Sequence, residues 1–135
     1  MLCQFSFQNF KSYKAETTFD FQAAAIPEFG ASLLGEEKGG KLLPVGVVYG
    51  PNGGGKSNLL QAPSCLITTV VKPIHDLEKT RENIVIQQKA ECEPFLFDDI
   101  SCNDPTKLEV YFRQGKSEYR YCLVLKEDEV VSEAL

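Results

Sequence analysis

Residues 50–57 read Gly50, Pro51, Asn52, Gly53, Gly54, Gly55, Lys56 and Ser57, and they satisfy the pattern G-x-x-x-x-G-K-[ST] at every position. Few short patterns constrain a backbone so strongly. Four glycines in eight positions let the chain turn its N–H groups inward and approach an anion that side chains would keep away. The flanks agree with that use. Residues 45–49, from Val45 to Tyr49, form a short apolar run between Pro44 and Gly50, the pattern of a strand buried on both faces in a parallel sheet. After the loop, Leu59, Ala62, Leu66 and Val70 recur at helical spacing, which predicts a helix packed on that sheet.

A helix starting just after the glycines adds unpaired N–H groups and the positive end of its dipole, both directed at phosphate. Lys56 is the catalytic candidate, reaching the β- and γ-phosphates as a point charge, and the Ser57 hydroxyl is the expected ligand of magnesium. The expected ligand is therefore a nucleoside triphosphate with Mg2+, held by Gly50, Pro51, Asn52, Gly53, Gly54, Gly55, Lys56, Ser57 and the adjoining Asn58. No Asn-Lys-x-Asp guanine reader is present, and two predicted strands precede the loop, where small GTPases place it after the first; ATP is favoured over GTP.

Elsewhere the chain alternates with a period of two. Cys3, Phe5 and Phe7 alternate with polar residues, and after a turn over residues 9–12 so do Tyr13, Ala15, Thr17, Phe19 and Phe21; both read as half-buried strands in an antiparallel pair. Leu108, Val110 and Phe112, a turn over residues 114–116, then Tyr119, Tyr121, Leu123 and Leu125 predict a β-hairpin. An apolar pattern resumes over 130–135. Residues 23–43 hold one proline and several glycines without a period, an irregular, partly mobile connection. Residues 73–93 are polar, with a short helix expected over 76–84. Pro63 should kink or restart the helix that follows the loop, because it removes a backbone bond at a cost of about 3 kcal/mol.

The glycine loop together with Asn9, Phe10, Lys11 and Ser12, and the run from Val47 through Leu60, resembles the opening of the ATP-binding-cassette (ABC) heads of SMC-like and OLD-like ATPases, whose bacterial members are often described as AAA-family ATP-binding proteins. Residues 94–98 and the hairpin extend the likeness. The resemblance implies an α/β, P-loop NTPase-like fold: central parallel strands feeding the phosphate loop and helix, an added antiparallel β layer, and an incomplete lobe from the N-terminal part of a larger ATPase spanning 1–135. It also implies that Lys11 and Ser12 lie near the nucleotide, and that ATP closes the site against a second copy of the protein. Gly54 stands where a serine is common in that family. No apolar strand ending in Asp-Glu and no Ser-Gly-Gly signature is present, so hydrolysis is expected to need parts of the parent protein beyond this segment. Asp98 and Asp99 read better as solvated turn carboxylates, Gln87 and Gln88 fit a γ-phosphate-sensing glutamine and a polar surface helix equally well, and His75 is the one candidate for a switch histidine.

Composition narrows the alternatives. With 135 residues and 43% hydrophobic content the chain can build one core. A charge of −5, from 14 Lys and Arg against 19 Asp and Glu, and the lack of any long basic run argue against direct nucleic-acid binding by this segment. No stretch reaches the roughly 20 apolar residues that span a bilayer. The five cysteines are scattered, without a C-x-x-C pair, and with no leader-like start they are expected to be buried reduced thiols of a cytoplasmic protein. Two rival classes remain: a non-catalytic interaction module docking through the hairpin, and an independent phosphate-loop kinase or GTPase.

Overall fold

The computed structural model describes residues 1–26, 30–35, 40–79, 92–127 and 129–135, without the side chains of residues 72–79. Five strands and one α-helix organise these residues: β1 (Leu2–Gln8), β2 (Thr17–Asp20), α1 (Lys56–Lys79), β3 (Thr106–Gln114), β4 (Ser117–Lys126) and β5 (Glu129–Ala134). The strands form a single sheet in the order β2-β1-β3-β4-β5. Every neighbouring pair is antiparallel.

Register explains which residues become core. Phe5 lies opposite Val110, which lies opposite Tyr121, while Phe7 aligns with Leu108 and then Leu123. Because side chains alternate across a sheet, these rows share one face. Helix α1 covers that face through Leu59, Ala62, Cys65, Leu66 and Val70, which join Phe5, Phe7, Phe10, Leu108, Leu123 and Leu125 in one apolar cluster. The helical period expected after the loop is thus the period of the packed face. Pro63 neither ends nor restarts the helix, which runs unbroken from Lys56 to Lys79; residues on both sides of the proline are anchored in the core, and that packing outweighs its local propensity. Of the helix expected over 76–84, residues 76–79 belong to α1 and the rest lies outside the described residues.

The expected α/β lobe with central parallel strands is not what forms. Among the described residues the structure is an antiparallel five-stranded sheet with one α-helix. Residues 45–49 belong to no strand, and Val45, Val47 and Tyr49 are 69%, 65% and 88% exposed. An apolar run becomes a strand only when another strand pairs with its backbone, and none of the described strands pairs with residues 45–49. The described part of the 23–43 connection is irregular but anchored: Leu34 and Leu42 exchange backbone hydrogen bonds of 2.8 and 2.7 Å, and Leu43 donates to the Phe21 carbonyl at 2.7 Å. Leu42 is buried.

The thiols also depart from expectation. Cys65 and Cys92 form a disulfide with a Cα–Cα distance of 5.7 Å, while Cys3, Cys102 and Cys122 are free, only the first of them buried. No helix among the described residues is long and apolar enough to cross a membrane.

One buried side chain ties the loops together. Asn9, 4% exposed and in the left-handed region at φ 55°, donates from Nδ2 to the carbonyls of Ser101 and Asp104, each at 2.8 Å. Its Oδ1 accepts the Phe95 N–H at 3.0 Å. Asparagine tolerates that backbone conformation and supplies both a donor and an acceptor. Replacing it with alanine strands buried carbonyls, so Asn9→Ala should lower unfolding stability by about 2 to 4 kcal/mol, read as a fall in the urea midpoint.

On the opposite face Glu109, almost fully buried, accepts two bonds of 3.0 Å from the Arg120 guanidinium and lies 3.1 Å from Lys107. The Arg120 bond chiefly holds its carboxyl down at about 2, from an ordinary 4.5. A depressed carboxyl stabilises the fold above its unfolded pKa and loses that contribution as it is protonated in the native state. Stability should therefore fall as the pH drops from 4.5 towards 2, and in Glu109→Gln that part of the acid dependence should vanish from denaturation midpoints measured across the window.

Candidate functional site

Residues 44–50 reach the glycine loop as an exposed segment. A turn follows, closed by the Gly54 N–H on the Pro51 carbonyl at 3.2 Å. Gly53 and Gly55 hold φ at +80° and +82°, where an L side chain is strained. Helix α1 then begins at Lys56, and its first turn is marked by the Leu59 N–H on the Gly55 carbonyl at 3.0 Å. The N–H groups of Gly55, Lys56, Ser57 and Asn58 precede that first intrahelical bond, so they project from the helix start together with the positive end of its dipole. No acidic residue stands in the first turn to neutralise it.

The Lys56 side chain folds back over the loop. Its ammonium donates to the carbonyls of Gly50 and Pro51, each at 2.7 Å, which holds the two ends of the loop close together. An ammonium carries three donors, and exchanging carbonyl for phosphate oxygen would replace neutral acceptors with charged, stronger ones. Pro51, Asn52, Gly53 and Gly54 are exposed, as is Ser57, and a Cβ built on Gly53 would meet nothing within 4 Å. The loop is therefore turned and open rather than packed against the protein. Its donors suit phosphate, and a hydroxyl at Ser57 suits a magnesium ion that takes most of its ligands from phosphate and water. Among the described residues no group of His, Cys, Asp and Glu is arranged to hold a metal by itself.

The turn after β1 buttresses this loop. Phe10 and Tyr13 exchange backbone bonds of 2.8 Å, and the Phe7 ring meets the Tyr13 ring edge-on at 5.1 Å. The Tyr13 hydroxyl donates to the Gly55 carbonyl at 3.3 Å. Asn58 donates from Nδ2 to Ser12 Oγ at 2.9 Å. Ser12 is thus brought to the loop. Asn58, grouped in the sequence with the phosphate-facing residues, uses its side chain to hold Ser12. The Lys11 N–H bonds the Glu93 carbonyl at 2.9 Å, and its ammonium lies 5.9 Å from the Phe10 ring centre.

Tyr13 is a neighbour of the loop that the sequence reading did not place there. Its place with Ala15 and Thr17 in an alternation with Lys14 and Glu16 reads as strand, whereas it stands in the turn ahead of β2; only the tight Phe10–Tyr13 pairing, invisible to a period of two, places its ring under the loop. Asp98 belongs to a different structure. Lys14 lies 2.7 Å from its carboxylate, which also accepts the Ser101 N–H at 2.6 Å; the Lys14 contact, ahead of the Ser101 bond, holds its carboxyl well below the usual range. It fastens the 98–103 turn. Gln87 and Gln88, and the side chain of His75, lie outside what is described.

A Cβ on Gly55 would come within 2.9 Å of Ser12 Oγ and 3.2 Å of the Tyr13 hydroxyl, in a backbone region unsuited to it. Gly55→Ala should therefore destabilise the protein by about 1 to 3 kcal/mol in thermal unfolding, whereas alanine at exposed Gly54, whose φ is not positive, should disturb it less. The sequence matches no protein-family model and no curated protein.

Proposed function

We propose that residues 50–57 hold the phosphates of ATP with Mg2+, and that the protein is the nucleotide-binding part of a larger ATPase of the ABC/SMC-like type. One observation carries the reading: an open glycine turn with two left-handed glycines leads directly into the N-terminus of a 24-residue helix, with a lysine folded across the turn. Helix N-termini bind phosphate because unpaired N–H groups and the dipole converge there. In this reading the amides of residues 53–58 surround the β-phosphate. Lys56 gives up its loop carbonyls to reach the β- and γ-phosphates, and Ser57 contributes one oxygen to Mg2+. Bound Mg2+ would neutralise charge accumulating on the phosphates during transfer. Ser12 stands beside the first turn of α1.

The partners proposed are the remainder of the parent protein and a second copy that closes over ATP. Exposed apolar surface supports a covering polypeptide: on α1, Leu60, Ile67 and Val71 form an outward stripe with exposures of 67%, 58% and 43%, on the side away from the packed residues Leu59, Ala62 and Leu66. A helix apolar on two sides is normally covered on both. Cytoplasmic residence and slow or absent turnover by this segment alone belong to the same proposal.

Titration with a fluorescent ATP analogue in the presence of Mg2+ tests the reading. Saturable binding is expected, displaced by ATP more effectively than by GTP, and Lys56→Ala should weaken it at least about tenfold, the loss expected when a charge-assisted phosphate contact disappears. A docking module with an idle loop predicts no saturable signal, and that result would overturn the proposal.

A further inference from the structure

Resting on that reading, we infer that the Cys65–Cys92 disulfide is a redox latch that sets how tightly the loop grips phosphate. Three observations connect the bond to the loop. Cys65 sits at the middle of α1, 4% exposed in the core cluster, so the helix that presents the loop is itself one arm of the bond. Cys92 begins the segment whose next carbonyl, that of Glu93, accepts the Lys11 N–H at 2.9 Å, and whose Phe95 N–H is taken by Asn9 at 3.0 Å. Lys11 is followed by Ser12 and Tyr13, which hold Asn58 and Gly55 at 2.9 and 3.3 Å. Helix, segment, turn and loop therefore form a closed circuit, and the disulfide is its covalent cross-link between side chains.

The bond is also reachable. Cys92 is partly exposed and lines a cavity of about 190 Å³ together with Glu93, Cys102 and Lys126. A dithiol reductant would enter there: its thiolate attacks Cys92 Sγ, a mixed disulfide forms, and the Cys65 thiolate leaves and takes up a proton. The reductant's second thiol then closes its own disulfide and releases Cys92 as a thiol. The protein gains two electrons and two protons, and the reductant loses them. With the link open, the 92–95 segment keeps its hydrogen bonds and the packing of Cys92 on the core but loses its covalent tie to α1, the turn over residues 9–13 loses a fixed support, and the contacts of Ser12 and Tyr13 with the loop loosen.

The test uses the whole chain, oxidised and after treatment with dithiothreitol. Alkylation of the denatured oxidised protein should label three cysteines, and five after reduction; five labelled before reduction overturns the proposal outright. Hydrogen exchange then reads the circuit without any nucleotide: reduction should speed exchange at residues 10–13 and 55–58 while β3 and β4 keep their protection. The fluorescent ATP analogue with Mg2+ should bind about fivefold or more weakly to the reduced form, and Cys92→Ser should match the reduced protein with or without reductant. Equal affinity in both redox forms, or unchanged exchange in the turn, overturns the latch and leaves the phosphate site standing. Absence of binding in both forms overturns the phosphate reading instead, and exchange alone then decides whether the bond controls the loop. Should Cys92→Ser fail to fold, reduced wild-type protein with an intact circular-dichroism spectrum takes its place in the comparison.

Discussion

The contact between the turn over residues 9–13 and the first turn of α1 fixes where the glycine loop lies. Asn9 anchors one end of that turn to the carbonyls of Ser101 and Asp104, and the Phe10–Tyr13 pairing closes it. Its outer residues then meet Gly55 and Asn58. A loop rich in glycine has no side chains with which to hold its own shape, so order must come from its neighbours. Here they are a buried asparagine, a tyrosine ring packed on Phe7 and a helix seated on the sheet. The open side of the loop packs against nothing at Gly53, where an added Cβ would meet no atom within 4 Å.

Part of this was legible in the sequence because it depends on local periodicity. Cys3, Phe5 and Phe7 face the core since alternate residues of a strand share a face, and Leu59, Ala62, Leu66 and Val70 do so since a helix repeats every 3.6 residues. The glycine pattern likewise declares its turn. What could not be read there depends on partners distant in the chain. Residues 45–49 carry the composition of a buried strand, but no strand pairs with them, and composition cannot reveal that the sheet is built from β2, β1, β3, β4 and β5 instead. Cys65 and Cys92, separated by 27 positions, give no sign of meeting until α1 and the 92–95 segment are placed. Pro63 misleads in the opposite direction, because a local penalty is offset by packing that only the assembled core supplies. Asn58 shows the same limit within the site: its place beside the loop is evident from spacing, its engagement with Ser12 is not.

The two faces of the sheet divide the work. The α1 face is apolar and locates the loop, while the other buries Glu109 under Arg120 and Lys107. A buried carboxylate is tolerable only when its oxygens are fully bonded, and the fork of Arg120 meets both of them. The outward stripe of α1 and residues 45–49 remain uncovered by the described chain. Their apolar character sets them apart from the polar surface around Lys107 and Arg120, and a further polypeptide laid over them would sit close to the mouth of the loop.

The central claim is that the amides at the start of α1 receive phosphate. Nuclear magnetic resonance of the 15N-labelled protein during a titration with MgATP addresses it residue by residue. The largest amide shifts should fall on Gly53, Gly54, Gly55, Lys56, Ser57 and Asn58 and saturate together. Shifts scattered over the β3–β4 hairpin, or none in the loop at saturating nucleotide, would contradict it.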